Sequence, residues 1–391
     1  MTRTSLLLCL LSSFALSACH AREEGSPQVP APAAVSRPAY LSNASSEADD
    51  AARFLAGLPG REASAWKKLE SDPAWAEHAT NMNHLWALYQ DKRRPGMEKF
   101  SKSELAGVPF AGAKIWYPFS GGDALTMLTF FPGHSNYAMS ALEPPGRVPS
   151  PSEFEGGQIA EHLPAIAGTL ASLLSKSFFV TREMDRQLRG QVTDGVAQPI
   201  LILLTRLGYK ILSHSYVQID ENGKLARRAL EAKRAAFGLN RGIVFEIQRK
   251  DGPVELLEYT SLNLDDAHMK GNAAYKKYVA SLGHPATMLK ATSYMLHSNE
   301  FSIIRGLILD ESQVIVQDDS GIPWKGFTPE AWQVQLYGDY TKPFGKDFAF
   351  RTQPDLRDAY EAQRAAVRPL DFRMGYGAGR QTSNLQVARR K

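Results

Sequence analysis

The two cysteines of the chain, Cys9 and Cys19, lie within its first nineteen residues, and His20 to Lys391 contains none. A body without thiols holds no internal disulfide, no thiol nucleophile and no cysteine-ligated metal or cluster, so its fold must rest on packing. The composition permits that. Of 391 residues, 43% are hydrophobic and 22% charged, which is the balance of a globular protein with a core rather than of a disordered, fibrous or multispanning one. No fixed-length repeat or heptad array is present.

Met1-Thr2-Arg3-Thr4 carries one positive charge and precedes an apolar run, Ser5 to Ala18, with Leu6, Leu7, Leu8, Leu10, Leu11, Phe14 and Leu16. About 14 residues fall short of the roughly 20 that cross a hydrocarbon core as a helix, so residues 1–18 read as a cleaved secretory signal. Leu16-Ser17-Ala18-Cys19, at the end of the run, resembles the lipobox of bacterial lipoproteins. The resemblance implies lipid attachment at Cys19 and partnership with a membrane through that lipid, since a multiply acylated cysteine anchors stably where one chain does not. With His20 rather than Asp after the cysteine, it also implies an outer-membrane lipoprotein facing the periplasm, the inner membrane and the cell surface being the other addresses.

Residues 19–46 are rich in Pro, Ala and Ser with few large apolar side chains, and are expected to be a disordered tether. Residues 373–391 carry Arg373, Arg380, Arg389, Arg390 and Lys391 and no acid; without these five and Arg3 the formal charge falls from +4 to −2. The basicity is therefore terminal, and the segment reads as a flexible basic tail. No nucleic-acid recognition motif accompanies it, so no nucleic acid is expected as partner.

Residues 47–372 read as a single globular α+β body with a mixed or mostly antiparallel central sheet packed by helices. Helical spacing runs through Ser46–Gln90, with Asp72-Pro73 as a helix start, and through Ile159–Leu174, where Pro164 marks a start or kink. Another helix lies between Pro199 and Gly208. Lys114–Phe119 and Asn136–Leu142 read as strands around a short helix at 123–130. Alternation in Ile211–Asp220, Gly242–Arg249 and Val254–Asn263 predicts antiparallel pairing, which argues against a parallel doubly wound sheet. Helices are expected at 271–282, 285–298, 300–311 and 355–365, and strands at 313–317 and 332–340.

Two loops carry the candidate binding cleft. Ser120-Gly121-Gly122-Asp123 leaves a strand for a helix, where glycines let backbone amides approach a ligand, although Asp123 also suits a helix cap and is a poor neighbour for phosphate. Asp318-Asp319-Ser320-Gly321 leaves another strand; paired carboxylates can share protons or hold a hard cation, and the same residues make ordinary turns. His134, in a polar cluster after Phe130-Phe131, would complete a nucleophile, orienter and base with Ser120 and Asp123 if the three converged. No Gly-x-Ser-x-Gly elbow exists, and Ser64-Ala65-Trp66-Lys67 lacks the companion motifs of penicillin-recognising enzymes. Asn263, Asp265, Asp266 and His268 match no metal motif, and His78 and His84 fall on different helix faces, so no metal and no cofactor are expected. The leading expectation is a ligand- or partner-binding module of the cell envelope, for which a cell-wall or envelope-protein partner is expected, rather than an enzyme. The alternatives are a hydrolase of peptidoglycan or glycan and a structural component of an envelope complex.

Overall fold

A computed structural model describes residues 37–108, 114–177, 195–229, 240–343, 351–375 and 383–391. The signal segment, Cys19, most of the expected tether and Arg380 lie outside these residues. Pro38–Lys391 forms one compact unit. In chain order it contains α1 (Glu47–Leu55), α2 (Pro73–Lys92), α3 (Arg94–Glu104), β1 (Ile115–Pro118), α4 (Ala124–Phe130), β2 (Asn136–Ala141), α5 (Ile159–Lys176), α6 (Ala197–Arg206), β3 (Tyr209–Ile219) and β4 (Leu225–Arg227). There follow β5 (Arg241–Arg249), β6 (Val254–Ser261), α7 (Asp266–Met269), α8 (Ala273–Ala280), β7 (Ala286–Leu289), α9 (Ser302–Glu311), β8 (Val314–Gln317), β9 (Trp332–Gly338), α10 (Pro354–Ala362) and β10 (Asn384–Arg390).

The local signals act as their chemistry dictates. Asp72 accepts from Ala74 N at 2.8 Å and Pro73 takes the first helical position, so α2 starts there. Pro164 lies within the first turns of α5 without ending it. One mixed sheet runs β4-β3-β5-β6-β2-β1-β7-β8-β10-β9. Helices cover both faces: α1, α4, α5 and α6 pack with Tyr117, Tyr137, Met139, Met288 and Val316, while α8 and α9 pack with Trp116, Ala138, Leu289 and Ile315 on the other side.

The wing β4-β3-β5-β6 is antiparallel, as the alternation predicts. The centre differs: β6, β2, β1, β7 and β8 are mutually parallel, so the argument against parallel winding fails there. These central strands other than β6 are four to six residues long and buried on both faces, leaving no alternation to read. The same cause overturns the helix expected at 285–298, whose first part is β7, followed by a 3₁₀ turn at Thr292–His297.

Both expected termini of the body shift. Residues 38–45 belong to it: Leu41 is buried beside Val217 and Val244, and Ser45 N donates to Leu212 O. The expected basic tail ends as β10, antiparallel to β8 on one side and β9 on the other, with Leu385, Val387 and Ala388 fully buried. Its charges are consumed locally. Arg389 donates to Glu104 O at the end of α3, and Arg390 to Asp310 O at the end of α9 while its guanidinium lies 4.8 Å from the Trp332 ring centroid. Arginines at helix C-termini satisfy terminal carbonyls and complement the dipole.

Candidate functional site

Strand order places the site. From β1 the chain passes through α4 on one face to β2; from β7 it passes through α9 on the opposite face to β8. The winding reverses between β1 and β7, and in open parallel sheets the crevice beyond the strand carboxyl ends at such a reversal is where ligands bind. Here the residues beyond β1 are Phe119 to Asp123, those beyond β7 are Lys290 and Ala291, and those beyond β8 are Asp318 and Asp319.

These loops meet around a buried ion pair. Lys290 Nζ donates to Asp123 Oδ2, the two side chains being 2% and 3% exposed, and to Thr126 Oγ1 at 2.8 Å. Asp123 also caps α4, accepting from Thr126 N at 3.1 Å, and receives the Tyr117 hydroxyl at 3.2 Å. Ala291 N donates to Asp318 Oδ2 at 3.1 Å, and Ser320 N to Asp318 Oδ1 at 3.0 Å. Next to it, Asp319 receives the Tyr294 hydroxyl and Asn384 Nδ2, the latter at 2.8 Å. Ser120 is buried, its hydroxyl donating to Gly121 O at 3.1 Å. The backbone beyond both central strands is strained: Phe119 and Ala291 hold φ of 59°, and neither is a residue type that favours that region.

The electrostatics follow from burial. It drives the Asp318 carboxyl up to about 7, the negative charge of Asp319 adding to the effect, against the donors from Ser320 and Ala291. Burial lowers the Lys290 ammonium, opposed by Asp123, and lowers Arg93, behind α4, to about 10. A carboxyl raised in the folded state contributes stability that is complete below its unfolded value near 4 and is lost as pH rises through 7. The stability of the wild type relative to Asp318→Asn is therefore expected to fall between pH 4 and 8, by on the order of a few kcal/mol. Urea midpoints of both proteins across that range check it; parallel profiles would refute the raised carboxyl.

Asp123, through Lys290, and Asp318, through Ala291 N, thus meet the same segment after β7, whereas His134 lies away from Ser120 and Asp123. Ser120 N bonds Ser140 O, and His134 stands six residues before Ser140, at the opposite edge of the sheet and roughly 15–20 Å away by strand rise. It is fully buried, with its ring 5.9 Å from Phe131 and 6.3 Å from Tyr137, so no Ser–Asp–His triad forms. Of the residues weighed for metal, Asp265 caps α7 and pairs with His268, while Asp266 accepts from Ser302 and Ile303 of α9. Among the described residues no group of three His, Cys, Asp or Glu is placed to hold a metal ion.

Lys290, Tyr294 and Asn384 escape a reading of the sequence. Lys290 looks like one polar position of a helix, and Asn384 like part of a tail. The available signal for Lys290 is its isolation, a single charge in the stretch from Pro285 to Leu296. Comparison with family models, with curated proteins and with solved structures gives no significant match for this chain.

Proposed function

We propose that the body is a small-molecule-binding module of the cell envelope whose ligand docks beyond the carboxyl ends of β1, β7 and β8. One observation carries the reading: the two loops with ligand-competent chemistry, Ser120–Asp123 and Asp318–Ser320, meet a buried lysine at the reversal of the sheet's winding. A thermal-shift survey of nucleosides, free sugars and muropeptide fragments tests it. A compound that raises the wild-type midpoint but not those of Ser120→Ala and Asp318→Asn supports the site; no shift from any compound, or equal shifts in the variants, refutes it.

A hydrolytic reading toward peptidoglycan or glycan is favoured by one feature, the Asp318 carboxyl held near neutrality, which suits proton transfer. His297, the histidine bonded to the same loop, is a poor base for it. His297 spends Nε2 on Gly321 O at 3.1 Å and burial lowers it to about 4, with Arg351 adding to the effect.

The lipid anchor belongs to the same proposal. Among the described residues no helix is long and apolar enough to cross a membrane. Attachment through Cys19 would supply anchorage. Labelled palmitate is expected to enter the wild-type protein and to be absent from Cys19→Ser, which should leave the membrane fraction; equal labelling of both would refute lipidation at Cys19.

A further inference from the structure

We propose that a second site, at the edge of the sheet opposite the Asp123–Lys290 cluster, binds a phosphate dianion, free or as a monoester, between α3, the end of α4 and the end of β5. A cavity of about 200 Å³ lies there, walled by Arg94, Glu98 and Lys102 of α3, Thr129 of α4 and Arg249, the last residue of β5. The topology brings these together. Arg94, Glu98, Ser101 and Lys102 share one helix face, α4 returns from the crevice end of β1 to the start of β2, and β5 runs antiparallel to β6, so Arg249 finishes beside the amino end of β6. The volume falls below the ~300–1,000 Å³ of pockets that enclose drug-sized ligands, which limits the occupant to a small group.

The charges define that group. Arg94 gives Nε to Glu98 Oε1 at 2.6 Å and Nη1 to Gln90 Oε1 at 2.7 Å, so this arginine and the acid of the wall cancel. Lys102 and Arg249 remain, and neither forms an ion pair among the described residues. Arg249 is held in place by its face, the guanidinium lying 4.6 Å from the Tyr209 ring centroid. Its donors are poorly used: Nη2 reaches Leu128 O at 3.4 Å, well beyond the ~2.9 Å of an ordinary bond, and Nε is buried without a partner. A buried donor left unmatched marks a place where a further partner fits. The acid behind Tyr209 supplies little countercharge, because burial raises the Glu255 carboxyl against the opposing pull of Arg249.

Two uncommitted cations beside a neutral pair match one dianion. A phosphate monoester carries about −1.5 to −2 charges near pH 7 and presents three acceptor oxygens, of which the arginine fork can take two and the lysine ammonium one. A carboxylate would leave one cation unmatched. The hydroxyls of the wall add no donor, since Ser101 Oγ donates to Phe130 O at 2.6 Å and Thr129 Oγ1 to Leu125 O at 2.7 Å. Recognition therefore rests on charge.

Isothermal titration of the full-length protein in phosphate-free buffer with orthophosphate, glycerol 3-phosphate and acetate tests the proposal. Both phosphates are expected to bind, and acetate at least tenfold more weakly. Lys102→Gln and Arg249→Gln are each expected to lose about tenfold in orthophosphate affinity, the effect of one charge-assisted hydrogen bond. Arg364→Gln, which removes an exposed cation outside this pocket, is expected to change nothing. Lys102 is exposed, so its variant decides the matter if Arg249→Gln does not fold. Acetate binding as tightly as orthophosphate, an equal loss in Arg364→Gln, undiminished binding by Lys102→Gln, or no binding of either phosphate would each overturn the site. Dihexanoyl phosphatidic acid in the same titration separates the sources of the group: tighter binding than glycerol 3-phosphate assigns it to a lipid head, and equal or weaker binding to a soluble phosphate.

Discussion

Truncation before Asn384 is expected to yield a chain that does not fold cooperatively, although it removes only eight residues that look like a charged tail. Those residues include β10, which lies between β8 and β9, pairing with β9 along its length and with β8 over Gln386–Arg389. Leu385 and Val387 are fully buried in the main core, and each contributes about 1.5–3 kcal/mol by burial. The ladder hydrogen bonds to two neighbours add roughly 0.5–1.5 kcal/mol apiece. Together the loss is on the order of 10 kcal/mol, comparable with the whole stability of a typical domain, about 5–15 kcal/mol. The truncated chain should appear in the insoluble fraction, or as a soluble species without a urea transition. Arg389→Ala, which removes charge but keeps the strand, should cost only about 1 kcal/mol. A truncated protein that melts like the wild type would show that the strand is dispensable.

Lys290→Met should be the most costly single substitution at the site. It keeps the volume and removes the charge, leaving Asp123 buried beside the Tyr117 and Thr126 hydroxyls without the ammonium that pairs with it. Breaking a buried pair from one side costs about 3–5 kcal/mol, because a desolvated charge is left uncompensated. The double variant Asp123→Asn/Lys290→Met removes both charges and is expected to recover much of that loss. Urea unfolding of the wild type, the two single variants and the double variant closes the cycle. Additive losses would mean that the two groups do not sense one another, against the geometry.

The same four proteins separate stability from binding. If the ion pair only holds the β1 and β7 loops together, the double variant should regain both folding and ligand affinity. If Lys290 or Asp123 also faces the ligand, folding returns while affinity does not.

How much of this was legible depended on how local the cause was. Asp72-Pro73 starts a helix, Asp123 caps α4 and the β5–β6 alternation makes a hairpin, because a cap or a half-exposed strand writes its period into a few consecutive residues. The loops at 120–123 and 318–320 stood out for the same reason. His134 had the same residue-type appeal, but it follows α4 where Asp123 precedes it, so the helix carries it to the opposite edge. β10 was misread because Arg389, Arg390 and Lys391 suggest solvent, whereas the carbonyl ends of α3 and α9 accept both arginines.

By itself, the sequence determined that the body contains no thiol chemistry and must be stabilised by packing, and that its wing is an antiparallel ladder. Only the tertiary structure decided that the centre is parallel, that the last strand is inserted between two others, and that Asp123 meets Lys290 across 167 residues. A strand covered on both faces carries no period, and a pairing between distant residues leaves no pattern in either neighbourhood; both are settled only when the sheet closes.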